Sequence, residues 1–126
     1  MAAIDVGPPK VDLLRIRAGD RNLFKMKLVQ NGSPIDLTDL TIEAQVRSVP
    51  LAETIALSAS ITVTDAAEGE FEMRWLGEDV RTLLANKSGW TGVWDLEISS
   101  DGLDIQTLMA GIFTIEPDVT RADVIV

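Results

Sequence analysis

The sequence predicts an all-β domain, an antiparallel sandwich or partly closed barrel of seven or eight short strands with one short helix. Three observations predict it. Apolar and polar residues alternate with period two in several separate runs, as in half-buried strands. Turn residues divide those runs at short intervals. Helical spacing of apolar residues occurs once, at Val80, Leu83 and Leu84.

The division along the chain follows from the same pattern. Residues 1–10 form an N-terminal arm in which Gly7, Pro8 and Pro9 favour an extended lead-in. Residues 11–117 form the sandwich, and residues 118–126 a C-terminal arm. The first strand is placed at Asp12–Arg17. In Arg21–Val29, Phe24, Met26 and Leu28 fall on one face and Lys25 and Lys27 on the other. Asn31-Gly32 is a strong hairpin signal, and Pro34 is expected to end pairing there. In Leu40–Ser48, Ile42, Ala44 and Val46 alternate with Thr41, Glu43, Gln45 and Arg47.

A strand is expected near Glu53–Ser58 and another at Ile61–Thr64, followed by a turn at Asp65–Gly69. Glu70–Leu76 is the clearest strand, with Phe71, Met73 and Trp75 inward and Glu70, Glu72 and Arg74 outward. Glu78–Ala85 reads as a helix crossing between the sheets, with Glu78 and Asp79 in the first turn, where the dipole favours acids. Trp90–Ser99 places Trp94, Leu96 and Ile98 on one face. Ser100-Asp101-Gly102 marks a tight turn, and Asp104–Glu116 a long last strand. Gly111, in the middle of that strand, predicts a bulge.

Composition narrows the function. The 126 residues suffice for one domain that needs no disulfide or metal to fold. Twenty acidic and 11 basic residues give a formal charge of −9, with the basic residues scattered. Nucleic-acid binding needs a concentrated basic face, so neither nucleic acid nor an anionic membrane is an expected partner. Residues 1–10 lack the pattern of a secretory signal, and no apolar run approaches the roughly 18 residues needed to span a membrane.

Much catalytic chemistry is excluded by residue type. With no His and no Cys, Ser-His-Asp and Cys-His catalysis and the commonest zinc sites are ruled out. There is no GxxxxGK[ST] and no GxGxxG phosphate loop. Glu70 and Glu72 share a strand face, a spacing open to glycosidase chemistry, but consecutive outward acids on a strand read as a solvated face. Asp36 and Asp39 read as Asx turns, and Asp101 and Asp104 as hairpin residues rather than a calcium loop. No catalytic residue, cofactor or metal is expected, and the chain is expected not to be an enzyme.

The remaining candidates concern binding. Trp75 and Trp94 read as core. Trp90, beside Gly89 and Gly92, reads either as core packing or as an exposed interface anchor. The apolar tip Val124-Ile125-Val126 suits docking on the parent domain or strand addition to a neighbour. Ile4 and Val6 in the N-terminal arm pose the same alternative.

The order of short motifs carries a resemblance. Ala18-Gly19-Asp20 precedes a strand; then come Pro34-Ile35-Asp36-Leu37-Thr38 and Thr41-Ile42 with Gln45-Val46-Arg47. Gly69-Glu70-Phe71, the Leu76–Leu84 segment and Gly89-Trp90 with Trp94-Asp95-Leu96-Glu97-Ile98 follow. Asp101-Gly102, Ala110-Gly111, Thr114-Ile115 and Val119-Thr120-Arg121 complete the series. From Ala18 to Arg121 the chain resembles the N-terminal domain of the phage baseplate upper protein family. Asp39 stands where that family usually has Gly, and Trp replaces a common Tyr after Gly89.

The resemblance implies an immunoglobulin-like β-sandwich that attaches virion parts to one another, with no catalytic residues. The expected function is therefore a virion structural protein: an adaptor or connector in the tail, baseplate or neck. Its expected partners are other virion proteins in a symmetric oligomeric assembly, met in the host cytoplasm during assembly. Capsid decoration or head-fibre anchoring is one alternative. A carbohydrate-binding module, with Trp90 as its candidate aromatic, is the alternative from another class.

Overall fold

The computed structural model describes residues 10–100 and 103–117. The interface candidates Ile4, Val6, Val124, Ile125 and Val126, and the Asp101-Gly102 turn, lie outside the described residues. In chain order the elements are β1 (Leu13–Arg17), β2 (Leu23–Lys27), β3 (Val29–Gln30), β4 (Ser33–Pro34), β5 (Leu40–Arg47) and β6 (Leu57–Ser58). They continue with β7 (Ser60–Asp65), β8 (Glu70–Arg74), α1 (Gly77–Leu84), β9 (Trp90–Ser100) and β10 (Leu103–Glu116).

Two sheets enclose the core. The larger has the order β1-β10-β9-β5-β6 and the smaller β2-β8-β7, with β3 and β4 as a separate hairpin. This is an immunoglobulin-like topology: β2, β8 and β7 stand as strands B, E and D, and β5, β9 and β10 as C, F and G. The short β6 lengthens the C-F-G sheet on its outer side, as variable-type domains do. The expected sandwich with one short helix is the architecture observed.

The period-two residues meet between the sheets. Ile42, Ala44 and Val46 from β5, Trp94 and Leu96 from β9, and Phe113 and Ile115 from β10 are buried. Phe71 and Met73 of β8, with Trp75 just beyond it, face them from the smaller sheet and are also buried. Trp75 meets the Phe113 ring edge-on at 5.0 Å and the Trp94 indole at 6.3 Å, favourable aromatic geometries. Helix α1 joins β8 of one sheet to β9 of the other and buries Val80 and Leu84. It ends at Leu84, and the capping residue Ala85 takes a positive φ of 52°.

The turn chemistry is as the sequence indicates at Asn31-Gly32. Both residues have positive φ, 52° and 81°, as a type I′ hairpin turn requires. Pro34 does not end the pairing. It lies opposite Val29, and Ile35 N–H still donates to the Leu28 carbonyl at 3.0 Å. The expected single strand Arg21–Val29 is also interrupted: β2 pairs with β8, whereas Val29–Gln30 turns to β4.

Four further differences have physical causes. Among the described residues the strand pairings are antiparallel except β1 with β10, which is parallel and is extended by the Lys10–Ala110 bridge. Those strands are joined through the whole domain, so no tight hairpin fixes their direction. Within β1 the register shifts between Leu13 and Ile16, and Arg15 takes a φ of 65°. This bulge lets both Leu13 and Ile16 reach the core three positions apart, breaking the expected alternation. The strand expected at Glu53–Ser58 shrinks to Leu57–Ser58. Upstream, the Ala52 and Glu53 carbonyls accept from the Arg47 guanidinium at 2.8 and 3.0 Å instead of from a neighbouring strand.

The bulge expected at Gly111 is absent, since Gly111 sits in regular register opposite Trp94. The register shifts of β10 fall earlier, between Leu103 and Gln106 and between Thr107 and Met109. Gly111 serves a close approach instead. A Cβ there would strike the Val11 carbonyl and lie 2.8 Å from Asp12 Oδ1. The space allows Val11 to accept the Trp94 indole N–H at 2.7 Å and Asp12 to accept the Ile112 amide at 2.9 Å.

Candidate interaction surface

The outer face of the larger sheet brings apolar, cationic and acidic residues together. Strand register assembles it. Arg47 lies opposite Val93, Gln45 opposite Asp95, and Glu43 opposite Glu97. From β10, Ile112 pairs with Val93 and Ala110 with Asp95. Residues of three strands separated by up to about 70 positions thus share one patch.

A shallow depression of about 430 Å³ opens there. Val93, Ala110, Gly111, Ile112 and Pro50 supply its apolar surface. Lys10, Arg47, Gln45 and Asp95 supply its polar rim. The adjoining loop extends the apolar area, with Val49 and Ile55 exposed and Leu51 94 % exposed. These exposed apolar residues make the face a candidate for protein contact.

Arg47 is held in place. Besides the Ala52 and Glu53 carbonyls, it donates to Gln45 Oε1 at 3.3 Å. All three acceptors are neutral, and among the described residues neither Arg47 nor Lys10 has a carboxylate within ion-pair distance. The opposite surface differs. On the outer face of the smaller sheet Lys27 contacts Glu68 and Glu70 at 3.6 and 3.9 Å, and Lys25 lies opposite Glu72. Glu70 and Glu72 therefore sit in a strip of alternating charge, the arrangement of a solvated face.

Beside the depression, Asp95, Glu97 and Glu43 bring three carboxyls together. Burial pushes the Asp95 carboxyl up, while the Arg47 charge and a hydrogen bond with Glu97 pull it down. Burial also pushes Glu97 up, reinforced by the charges of Asp95 and Glu43 and by the hydrogen bond to Asp95, against Arg47. No group of three or more acidic side chains suited to a metal occurs among the described residues. At the other end of β5, Asp36 accepts from the Thr38 amide and hydroxyl at 2.9 and 2.7 Å, forming the expected Asx turn. Those bonds hold its carboxyl below the usual range.

Trp90, the described member of the sequence-derived candidates, begins β9 on the same side as Trp94. It is half-buried and packs against the core. Its ring covers Gly92, where a Cβ would collide with it. The structure does not bring Trp90 into the outer depression. Sequence reading passed over Arg47, Asp95, Glu97, Val93 and Ile112 as sites. One signal was visible: Val93 and Ile112 are apolar at positions where the alternation calls for outward polar residues.

No family model matches the chain, and no curated protein matches it in sequence. Among solved structures, one match is described as the N-terminal domain of phage TP901-1 ORF48. It has a TM-score of 0.45 and 14 % identity, covering 90 % of this chain and 91 % of that one. The topology given above stands on the strand pairings of this chain. No helix among the described residues is long and apolar enough to cross a membrane.

Proposed function

We propose that the chain is a phage virion structural protein, an adaptor or connector in the tail, baseplate or neck that acts by protein–protein contacts and not by catalysis. One observation carries the reading. The motif series from Ala18 to Arg121 resembles a virion attachment domain and implies an immunoglobulin-like sandwich, and the strand order is that of such a sandwich. The surface supports it. Apolar area is exposed beside fixed charge at Arg47, as at a contact between subunits, and the depression is open and shallow rather than a cleft.

The strong negative charge favours subunits that stay soluble until assembly. The chain would pass through the host cytoplasm and end in the particle. Quantitative mass spectrometry of purified particles from the source phage tests this. A copy number matching tail symmetry is expected. A count comparable with the major capsid protein would move the chain to a decoration role in the shell, and absence from particles would sink the virion reading.

A further inference from the structure

We propose that the free edge of β7 pairs with β7 of a second copy about a two-fold axis through Thr62, joining the two smaller sheets into one of six strands. The proposal stands on the sheet edges of this chain and goes beyond the attachment role.

Comparison of the edges gives the first reason. An uncovered strand edge offers main-chain donors and acceptors to any extended chain, and proteins blunt such edges with bulges, lysines or short length. Three edges here are blunted in these ways. The β1 edge is broken by the bulge at Arg15, β2 carries Lys25 and Lys27, and β6 is two residues long. The part of β5 that β6 leaves uncovered carries Glu43. The β7 edge has none of these devices along Ser60–Thr64. Among the described residues no strand lies on its far side. It reads Ser-Ile-Thr-Val-Thr before Asp65, without charge, proline or glycine, and four of those five residues are β-branched.

Register gives the second. The Trp75 amide donates to the Asn22 carbonyl and the Leu28 amide to the Gly69 carbonyl. By alternation, β8 turns the main chain of Phe71, Met73 and Trp75 towards β2 and that of Glu72 and Arg74 towards β7. Thr62 lies opposite Glu72 and Ser60 opposite Arg74. The amides and carbonyls of Ile61 and Val63 therefore point out of the sheet edge. Antiparallel pairing of two such edges sets Ile61 against Val63 of the second copy, and Val63 against Ile61, with Thr62 facing its own copy across the axis. Two β-branched pairs and a threonine pair are favourable cross-strand neighbours. Val63 is 44 % exposed and Ile61 half-buried, so each gains cover from the other.

Charge gives the third. Two copies at −9 each repel wherever acids face acids. Along the paired stretch none do. Asp65 lies beyond it and accepts the Glu68 amide at 3.3 Å. Glu72 is set back by one strand, so the two Glu72 positions stand three strand spacings apart, about 14 Å. That exceeds the Debye length of about 8 Å at physiological salt. The paired strip is smaller than a standard interface, so the dimer is weak. Because the same strand serves on both sides, the contact closes at two copies.

Sedimentation velocity over a concentration series tests the contact on the full chain, with Thr62→Lys and Val63→Pro. The first sets two cations across the axis, and the second removes an amide that β8 does not use. Circular dichroism melts establish that each variant folds, and the exposed Thr62→Lys serves if Val63→Pro does not. The wild type is expected to reach a dimer at high concentration and grow no further, while both variants stay monomeric. Register is tested by oxidation with glutathione disulfide, since the chain has no cysteine of its own. Thr62→Cys should cross-link rapidly to a dimer, whereas Lys25→Cys on the opposite edge strand should not. A wild type monomeric to its solubility limit, growth past the dimer, Thr62→Lys associating like the wild type, or equal cross-linking of the two cysteine variants would each overturn the contact. Particle copy number is untouched by any of these outcomes, so the two readings fail separately.

Discussion

The indole N–H of Trp94 donates to the main-chain carbonyl of Val11 at 2.7 Å, joining residues 83 positions apart. Trp75 stands edge-on to the same indole, yet its own N–H is buried with no hydrogen-bond partner among the described residues. Replacing Trp94 by Phe removes a satisfied donor, whereas replacing Trp75 by Phe removes an unsatisfied one. Both changes also remove similar ring volume from the core. Trp94→Phe should therefore be the more destabilising, by about 1–2 kcal/mol. Urea unfolding of both variants measures the difference, and equal midpoints would refute the assigned roles.

Gly111 and Gly32 separate two reasons for glycine. Gly111 keeps Val11 and Asp12 close to the sheet, whereas Gly32 has a left-handed φ of 81° and open space around it. Gly32→Ala should cost about 1 kcal/mol of backbone strain. Gly111→Ala forces main chain apart and should cost about 2–3 kcal/mol. It should also speed hydrogen exchange at the Ile112 amide, which donates to Asp12. Unchanged Ile112 protection in Gly111→Ala would count against the close-approach explanation.

The Asp95–Glu97 pair predicts an unusual pH response. Both carboxyls are raised in the folded chain, chiefly by burial, with Glu43 adding repulsion and Arg47 opposing. The folded state therefore binds protons more readily than the unfolded state. Stability from this pair is greatest below the ordinary carboxylate range and declines as pH rises through the raised values. Glu97→Gln should raise the melting temperature at pH 7 and flatten its slope between about pH 4 and 7. A lower melting temperature at pH 7 would show that the charged form of Glu97 is stabilising.

Asp36 acts in the opposite sense. Its carboxyl is lowered by the Thr38 hydroxyl and amide. The stability it contributes is present at neutral pH and is lost as pH falls through the lowered value. Asp36→Ala should therefore narrow the stability gap to wild type as the solution is made strongly acidic. A gap independent of pH would assign the Asp36 effect to packing.

Trp90→Ala distinguishes core packing from a sugar platform. Since the ring covers Gly92 and packs on the core, the substitution should lower stability by about 2 kcal/mol. Calorimetric titration with oligosaccharides should show no heat for either protein. Saturable binding lost in the variant would favour the carbohydrate-binding alternative.

What could be read from the sequence was local. The alternation of Ile42, Ala44 and Val46, of Phe71, Met73 and Trp75, and of Trp94 and Leu96 gives the inward faces directly, because side chains on a strand change sides at every residue. Asn31-Gly32 specifies its turn because few residues accept two positive φ angles. What could not be read was relational. Nothing near Leu13 or Glu116 indicates that their strands run parallel. Nor does Gly111 reveal whether it bends its own strand or admits another. The surface patch was hidden for the same reason: Glu43 and Glu97, or Arg47 and Val93, become neighbours only through strand register.

Because β1 and β10 lie side by side and point the same way, chain enters the pair at one end and leaves at the other. A pull between residue 10 and residue 117 would slide these strands along each other. Their cross-strand bonds, with the Val11–Ala110 bond at the lead-in, would carry that load together rather than peel apart in turn. A domain gripped at these two points is therefore a stiff link in series, able to transmit tension between whatever is fastened to either end.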